Sequence, residues 1–198
     1  MADLARELWQ RLLAPGAARL GLVLAAGIIL ADQISKWFVL NVLNLSPQGC
    51  LEFQLASPAE RAFLPNTCER IEISGIFDLT MVWNKGVSFG LLGADNMAGR
   101  LLLIGFSLAV AGYLIAGLLG YGALKAERQF QALAFGMIVG GALGNVVDRI
   151  FFGAVVDFFD FSGLGFPWVF NIADVSINVG VGLIILDMLL EGREKRPS

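Results

Sequence analysis

Apolar residues dominate four stretches of the chain, at about 20–43, 101–124, 129–149 and 172–190. As a helix, each is long enough to cross roughly 30 Å of hydrocarbon. The pattern predicts a polytopic α-helical membrane protein with four transmembrane helices, forming one membrane domain over residues 1–198. The first run is interrupted by Asp32-Gln33-Ile34-Ser35-Lys36 and then resumes through Trp37. A cleaved targeting segment would pass into a polar mature chain instead, so this run is expected to stay as span one. Ahead of it, Leu4, Leu8 and Leu12 recur at helical spacing among Arg6, Arg11 and Arg19. That spacing fits either a short amphipathic lead-in at a membrane surface or plain helix packing.

Residues 44–96 form the one long polar excursion. Up to Glu72, Pro47, Pro58, Pro65 and several glycines break any period, and loop is expected. From Ile73 to Trp83 the chain alternates, with Phe77, Leu79, Met81 and Trp83 on one side and Asp78 and Thr80 on the other, before an Asn84-Lys85-Gly86 turn. This predicts a strand or hairpin at about 73–91, a small extracytoplasmic β-sheet between spans one and two. Cys50 and Cys68 flank the irregular part. In an extracytoplasmic loop a disulfide between them would contribute about 3 kcal/mol through chain entropy. Two free thiols fit the sequence nearly as well. In span three, Gly136, Gly140 and Gly144 recur every fourth residue, a stripe suited to close helix packing. The aromatic residues between spans three and four, among them Phe151, Phe152, Phe166 and Trp168, suit anchoring at a membrane interface.

Composition narrows the chemistry. Hydrophobic residues make up 57% of the positions and charged residues 16%, too apolar for an ordinary soluble domain. The net charge of -3 leaves no basic footprint for nucleic acid. Arg6, Arg11, Arg19, Lys125, Arg128, Arg193, Lys195 and Arg196 all fall on one side of a four-span arrangement. Both termini are therefore expected in the cytoplasm, and residues 44–96 outside. The chain contains no histidine, which excludes Ser-His-Asp triads, Cys-His pairs and His-ligated zinc. A hydrolase on this chain must use carboxylates or a Ser/Lys pair, and no metal or cofactor is expected.

Ionisable groups at membrane depth are costly to desolvate, and several kept together usually serve chemistry or transport. Asp32 and Lys36 stack four residues apart, either as part of a site or as an internal pair that fixes the helix. Asn145, Asp148 and Arg149 share a face at the end of span three, where Arg149 is expected to hold carboxylates. Asp157 sits in the apolar Val155-Val156-Asp157-Phe158 strand, and Asp174 opens span four after Asn171, at a helix N-terminus that favours negative charge. Two carboxylates brought together from such positions would share a proton. The ionised member could activate water while the protonated member polarises a carbonyl, an aspartyl peptidase mechanism.

The chain resembles the lipoprotein signal peptidase (type II signal peptidase) family at Asp32-Gln33 with Ser35-Lys36, Asn84 with Gly86 and Phe89, Gly140 to Arg149, Val155 to Phe158, and Phe170 to Asp174. These matches cover most of the chain in the expected order. The resemblance implies a four-span aspartyl endopeptidase of the bacterial inner membrane, with its active site at the periplasmic interface. It would remove signal peptides from diacylglyceryl-modified prolipoproteins, cutting before the lipidated cysteine, and globomycin-type inhibitors would block it. Position by position, it implies that Asp157 and Asp174 are catalytic. Asn84, Gly86, Gly141, Asn145, Asp148, Arg149, Asn171 and Ala173 would bind substrate or support the dyad, and Asp32 with Lys36 would brace span one. Contacts with membrane lipid and a monomeric state are expected. Residues 46–72 depart from the family pattern as an insertion, and their cysteines have no family role.

Two other readings fit less well. Gly86-Val87-Ser88-Phe89-Gly90 matches a Gly-x-Ser-x-Gly nucleophile motif but has no histidine to serve it, leaving a dyad of Ser88 with Lys85 or another lysine. A proton-coupled transporter using Asp32, Lys36, Asp148 and Asp174 would need polar groups spread through the membrane thickness, whereas these crowd toward one interface.

Overall fold

The computed structural model describes residues 16–86, 97–121, 125–126 and 128–194. Leu4, Leu8, Leu12, Arg6, Arg11, Ser88, Phe89, Lys195 and Arg196 lie outside the described residues. In chain order the elements are α1 (Ala17–Asn41), α2 (Cys50–Leu55), α3 (Pro58–Arg61), β1 (Arg70–Glu72), β2 (Asp78–Asn84), α4 (Met97–Leu118), α5 (Gln129–Phe151), β3 (Val155–Asp160), β4 (Val169–Phe170) and α6 (Ile172–Glu194). Helices α1, α4, α5 and α6 are long and apolar enough to cross a membrane. Proline-free apolar runs allow each helix to satisfy its backbone internally, as a bilayer requires. Leu30, Ile34, Trp37, Phe106 and Met188 are large apolar side chains left exposed on these helices, as suits a lipid solvent.

The chain divides into two compact units. One gathers the described residues up to Leu30, those between Ser107 and Gly144, and those from Ala173 to Glu194. Within it, Ala25, Leu114, Leu118, Ala132, Phe135, Ile138 and Val139 form a buried cluster. Two glycines of the span-three stripe allow the close approach. Gly136 lies against the Gly21 backbone, and a Cβ at Gly140 would stand 2.8 Å from the Ile28 Cβ. At the far end of α6, Asp187 accepts hydrogen bonds from Arg128 (3.0 Å) and Gln131 (2.8 Å).

The other unit takes the described residues between Ala31 and Phe106 and Asn145–Ile172, and contains a four-stranded antiparallel sheet in the order β1-β2-β3-β4. The sheet reaches beyond the segment between spans one and two, because β3 and β4 come from the connection after α5. Residues 73–77, read from sequence as the first part of a strand, form a turn instead. Ser74 N donates to the Phe77 carbonyl at 3.0 Å, Ser74 Oγ accepts from Phe77 N at 3.1 Å, and Asp78 accepts from Ile73 N at 3.1 Å. A Ser-Gly pair with local side-chain acceptors competes with extended pairing, so the hairpin closes here and β2 starts only at Asp78.

Strand alternation then sorts the residues. Met81 and Trp83 of β2, with Val156 and Phe158 of β3, share one buried cluster with Val39, Leu45 and Cys50. Val82 pairs with Asp157 across the strands, so Asp157 belongs to the opposite face. The stretch expected as irregular loop holds the short helices α2 and α3, and a disulfide joins Cys50 to Cys68. Ser57 and Glu60 cap α3 reciprocally.

Candidate active site

The polar residues expected at the ends of the apolar runs collect, with one exception, inside the sheet-bearing unit. They begin on α1. The side chains of Asp32 and Lys36 are 0% and 3% exposed, and one helical turn of spacing brings Lys36 Nζ to 2.7 Å from Asp32 Oδ2. The same ammonium lies 2.7 Å from Asp148 Oδ2 and donates to Asn145 Oδ1 at 3.2 Å. Its positive charge therefore stands between two buried carboxylates and beside a neutral amide. That arrangement is stable at this depth only because each group has a partner.

Asp148, at the last turn of α5, also accepts from Gln33 Nε2 (3.0 Å) and from the backbone N–H of Val156 (3.0 Å). The second bond ties the carboxylate to the strand residue just before Asp157. Asp148 thus ties β3 to the last turn of α5. In sequence Gln33 stands only as part of the polar interruption of span one. It completes the brace because α5 presents Asp148 to it, and nothing in the α1 sequence alone carries this pairing.

Asp157 is fully buried. Its Oδ1 accepts from Asn171 Nδ2 at 2.6 Å, and its Oδ2 from Asn84 Nδ2 at 3.0 Å. Asn171 Nδ2 is also within 3.2 Å of Asn145 Oδ1 and of the Val156 carbonyl. A continuous chain of contacts therefore runs from Asp32 through Lys36, Asn145 and Asn171 to Asp157. Asn84 is held in turn, since its Oδ1 accepts from the backbone N–H of Gly86 at 3.0 Å. Arg149 donates Nη2 to the Gly86 carbonyl (3.0 Å) and Nη1 to the Asn145 carbonyl (3.4 Å), linking the segment after β2 to α5.

Asp174 is the exception. It lies in the first turn of α6, half-buried, in the other unit, and its backbone carbonyl accepts from Asn178 Nδ2 at 2.9 Å. Gly141 and Ala173 meet in that same unit, the Gly141 backbone lying directly against the Ala173 carbonyl. Any side chain at Gly141 would collide there, so the pair sets how closely α5 and α6 pack. Lys85, weighed above as a partner for Ser88, donates Nζ to the Leu55 carbonyl at 2.7 Å. Among the described residues there is no cluster of His, Cys, Asp or Glu able to hold a metal ion.

A family model described as signal peptidase (SPase) II matches residues 24–190. A lipoprotein signal peptidase from Caulobacter vibrioides is 43% identical over 173 residues, covering 87% of this chain and 88% of that one. One from an Azoarcus species is 35% identical over 175 residues, covering 88% and 85%. Among solved structures, a bacterial membrane enzyme determined by the in meso method at 2.3 Å superposes with a TM-score of 0.67 at 23% identity, over 90% of this chain and 92% of that one.

Proposed function

The chain belongs to the signal peptidase II family, and on that premise we propose that it removes the signal peptide from diacylglyceryl-modified bacterial prolipoproteins, cutting before the lipidated cysteine. The enzyme is an aspartic peptidase, a hydrolase. In this reading Asp157 and Asp174 carry the reaction, with one carboxyl ionised and the other protonated. The ionised carboxylate takes a proton from water as the water oxygen attacks the scissile carbonyl. The protonated partner donates to that carbonyl oxygen and stabilises the tetrahedral adduct. Collapse of the adduct breaks the C–N bond, and the departing amine receives a proton from the carboxyl that had accepted one.

The observation that carries this reading is the seat of Asp157. A fully buried carboxylate, with one amide donor on each oxygen, is oriented by Asn84 and Asn171. Asp174 takes its role from the family resemblance and from its place in the first turn of a helix, where the backbone dipole favours negative charge. The site would lie at the periplasmic interface of the inner membrane, with both termini cytoplasmic. The enzyme would work as a monomer in contact with membrane lipid, and globomycin-type inhibitors would compete for the site.

The test is a mass-shift assay in detergent that compares diacylglyceryl-modified and unmodified preprolipoprotein for wild type, Asp157→Asn and Asp174→Asn. Wild type should cut only the lipid-modified substrate, and both folded variants should be inactive. Activity retained in either variant removes that aspartate from the mechanism.

A further inference from the structure

We propose that Gln54 is a positioning residue for the reaction: its side-chain amide, held by the disulfide-closed insertion, fixes the part of β2 that carries Asn84 and so the seat of Asp157. This rests on the reading of Asp157 as a reacting carboxylate.

Strand β1 covers only the first part of β2, from Asp78 to Thr80. Beyond it, the backbone groups of Met81 and Trp83 on that side of β2 have no strand to pair with. Met81 N donates to the Glu69 carbonyl at 3.2 Å. The next two groups are met by one side chain. Gln54 Nε2 donates to the Met81 carbonyl at 3.0 Å, and Gln54 Oε1 accepts from Trp83 N at 2.7 Å. A primary amide offers the same donor and acceptor as a peptide bond, so Gln54 closes the ladder in place of a missing strand residue.

The insertion is built to hold that amide. Gly49, in the left-handed region at φ 96°, turns the chain into α2, which then buries Cys50 completely. The disulfide ties α2 to Cys68, directly before the Glu69 that serves Met81. At the C-terminal end of α2, Arg61 donates Nη2 to the Gln54 carbonyl at 2.6 Å and Nε to the Ala56 carbonyl at 3.2 Å. Lys85 donates to the Leu55 carbonyl at 2.7 Å. Both neighbours of Asn84 are therefore fastened to α2, Trp83 through its backbone N–H and Lys85 through its ammonium. The Trp83 ring is fixed as well, because its Nε1 donates to Ser46 Oγ at 3.0 Å. Between these attachments Asn84 reaches across to Asp157 Oδ2. Gln54 acts through Asn84 and touches no reacting atom.

The test uses the full chain in detergent with lipid-modified preprolipoprotein, under steady-state kinetics across pH. Gln54→Met keeps the length and removes both hydrogen bonds to β2, together with the 3.1 Å contact from Gln54 Nε2 to Cys68 Sγ. It should lower kcat about 10- to 100-fold, as expected for a misplaced reacting group, with KM changed less than about twofold. Gln54→Glu gives a second, internal comparison. Its ionised carboxylate faces the Met81 carbonyl and cannot donate, whereas its protonated form can. The ratio of its kcat to that of wild type should therefore rise as pH falls through the titration of the introduced carboxyl. Replacing both Cys50 and Cys68 with alanine should lower kcat in the same direction as Gln54→Met.

Wild-type kcat in folded Gln54→Met overturns the proposal. So does a rise in KM with kcat intact, which would make Gln54 a substrate contact. If Gln54→Met does not fold, a flat kcat ratio for Gln54→Glu across pH overturns it. Asp157→Asn, run in parallel, separates the two levels: its inactivity leaves any failure with Gln54 alone, whereas its activity removes the underlying reading and the proposal with it.

Discussion

Replacing Lys36 with methionine keeps the length of the side chain and removes the charge that stands 2.7 Å from both Asp32 and Asp148. With an effective dielectric constant of about 20, each contact has a gross Coulomb energy of roughly 6 kcal/mol. Desolvation of three buried groups offsets most of that sum, so the measurable loss is the smaller one seen when a buried pair loses one partner, about 3–5 kcal/mol. Gln33 remains as a donor to both carboxylates, which places the expectation toward the lower end. For a chain of this size, at about 2–4 °C per kcal/mol, the melting temperature should fall by roughly 6–20 °C. The assay is thermal unfolding in detergent at neutral pH, followed by a cysteine-independent signal such as tryptophan fluorescence. Adding Asp148→Asn to Lys36→Met should recover part of the loss, because the second carboxylate no longer needs the cation. A Lys36→Met protein that melts within about 2 °C of wild type refutes the reasoning and shows the carboxylates to be held by neutral donors alone.

Asn171→Ala removes the 2.6 Å bond to Asp157, and a hydrogen bond to a charged group is typically worth about 1.5–3 kcal/mol. Felt at the transition state, that predicts a fall in kcat of roughly 10- to 150-fold, measured on lipid-modified substrate with folding confirmed separately. Asp160, outside the spans, is held below its ordinary carboxylate value first by the Thr80 hydroxyl at 2.7 Å, against the opposing effect of burial, with the Ser162 N–H at 2.9 Å adding to the lowering. A depressed folded-state value stabilises the protein above the unfolded value and loses that stabilisation as pH falls through the folded one. Thr80→Val should therefore destabilise at neutral pH by about 1.5–3 kcal/mol, with the difference from wild type shrinking below about pH 4, as read by thermal unfolding from acid to neutral pH. Gly141→Val would drive a branched side chain into the Ala173 carbonyl, and overpacking of this kind costs about 1–3 kcal/mol or more, seen as a lowered melting temperature.

The four long helices are legible because each is a long apolar run, the first broken only by the short polar stretch from Asp32 to Lys36, and length with composition decides such a segment without help from its neighbours. Asp32, Lys36, Asn145, Asp148, Arg149 and Asp157 are legible from the residues themselves, because ionisable and amide groups set in apolar surroundings need a reason, whereas Asn84 and Asn171 are marked only by the family resemblance. The pairings among them are not legible. That Asp148 takes the Val156 N–H depends on a turn through Gly153, at φ 81°, which brings β3 back beside α5. The six-residue helix α2 has no sequence signal of its own, since so short a helix is unstable in isolation and forms here around a buried cysteine and the back of β2. Gln54 was invisible for the same reason: a glutamine in an irregular loop acquires meaning only when a strand passes in front of it. The strand pattern at 73–83 failed at its start because alternation continued through Ile73 to Phe77, while Ser74 and Gly75 supplied a turn.

The sheet is open, and one of its two borders is β1, three exposed residues long and bearing Arg70 and Glu72. Arg70 is also engaged by Asp78 of the neighbouring strand. An unpaired border of backbone N–H and C=O groups invites a second chain to add itself and begin an aggregate. Here the border is too short to register against another strand and carries charge on both sides of its central isoleucine. A partly assembled chain can therefore expose this border without templating others. Shortening and charging the edge protects the protein during synthesis and insertion, before any substrate is met.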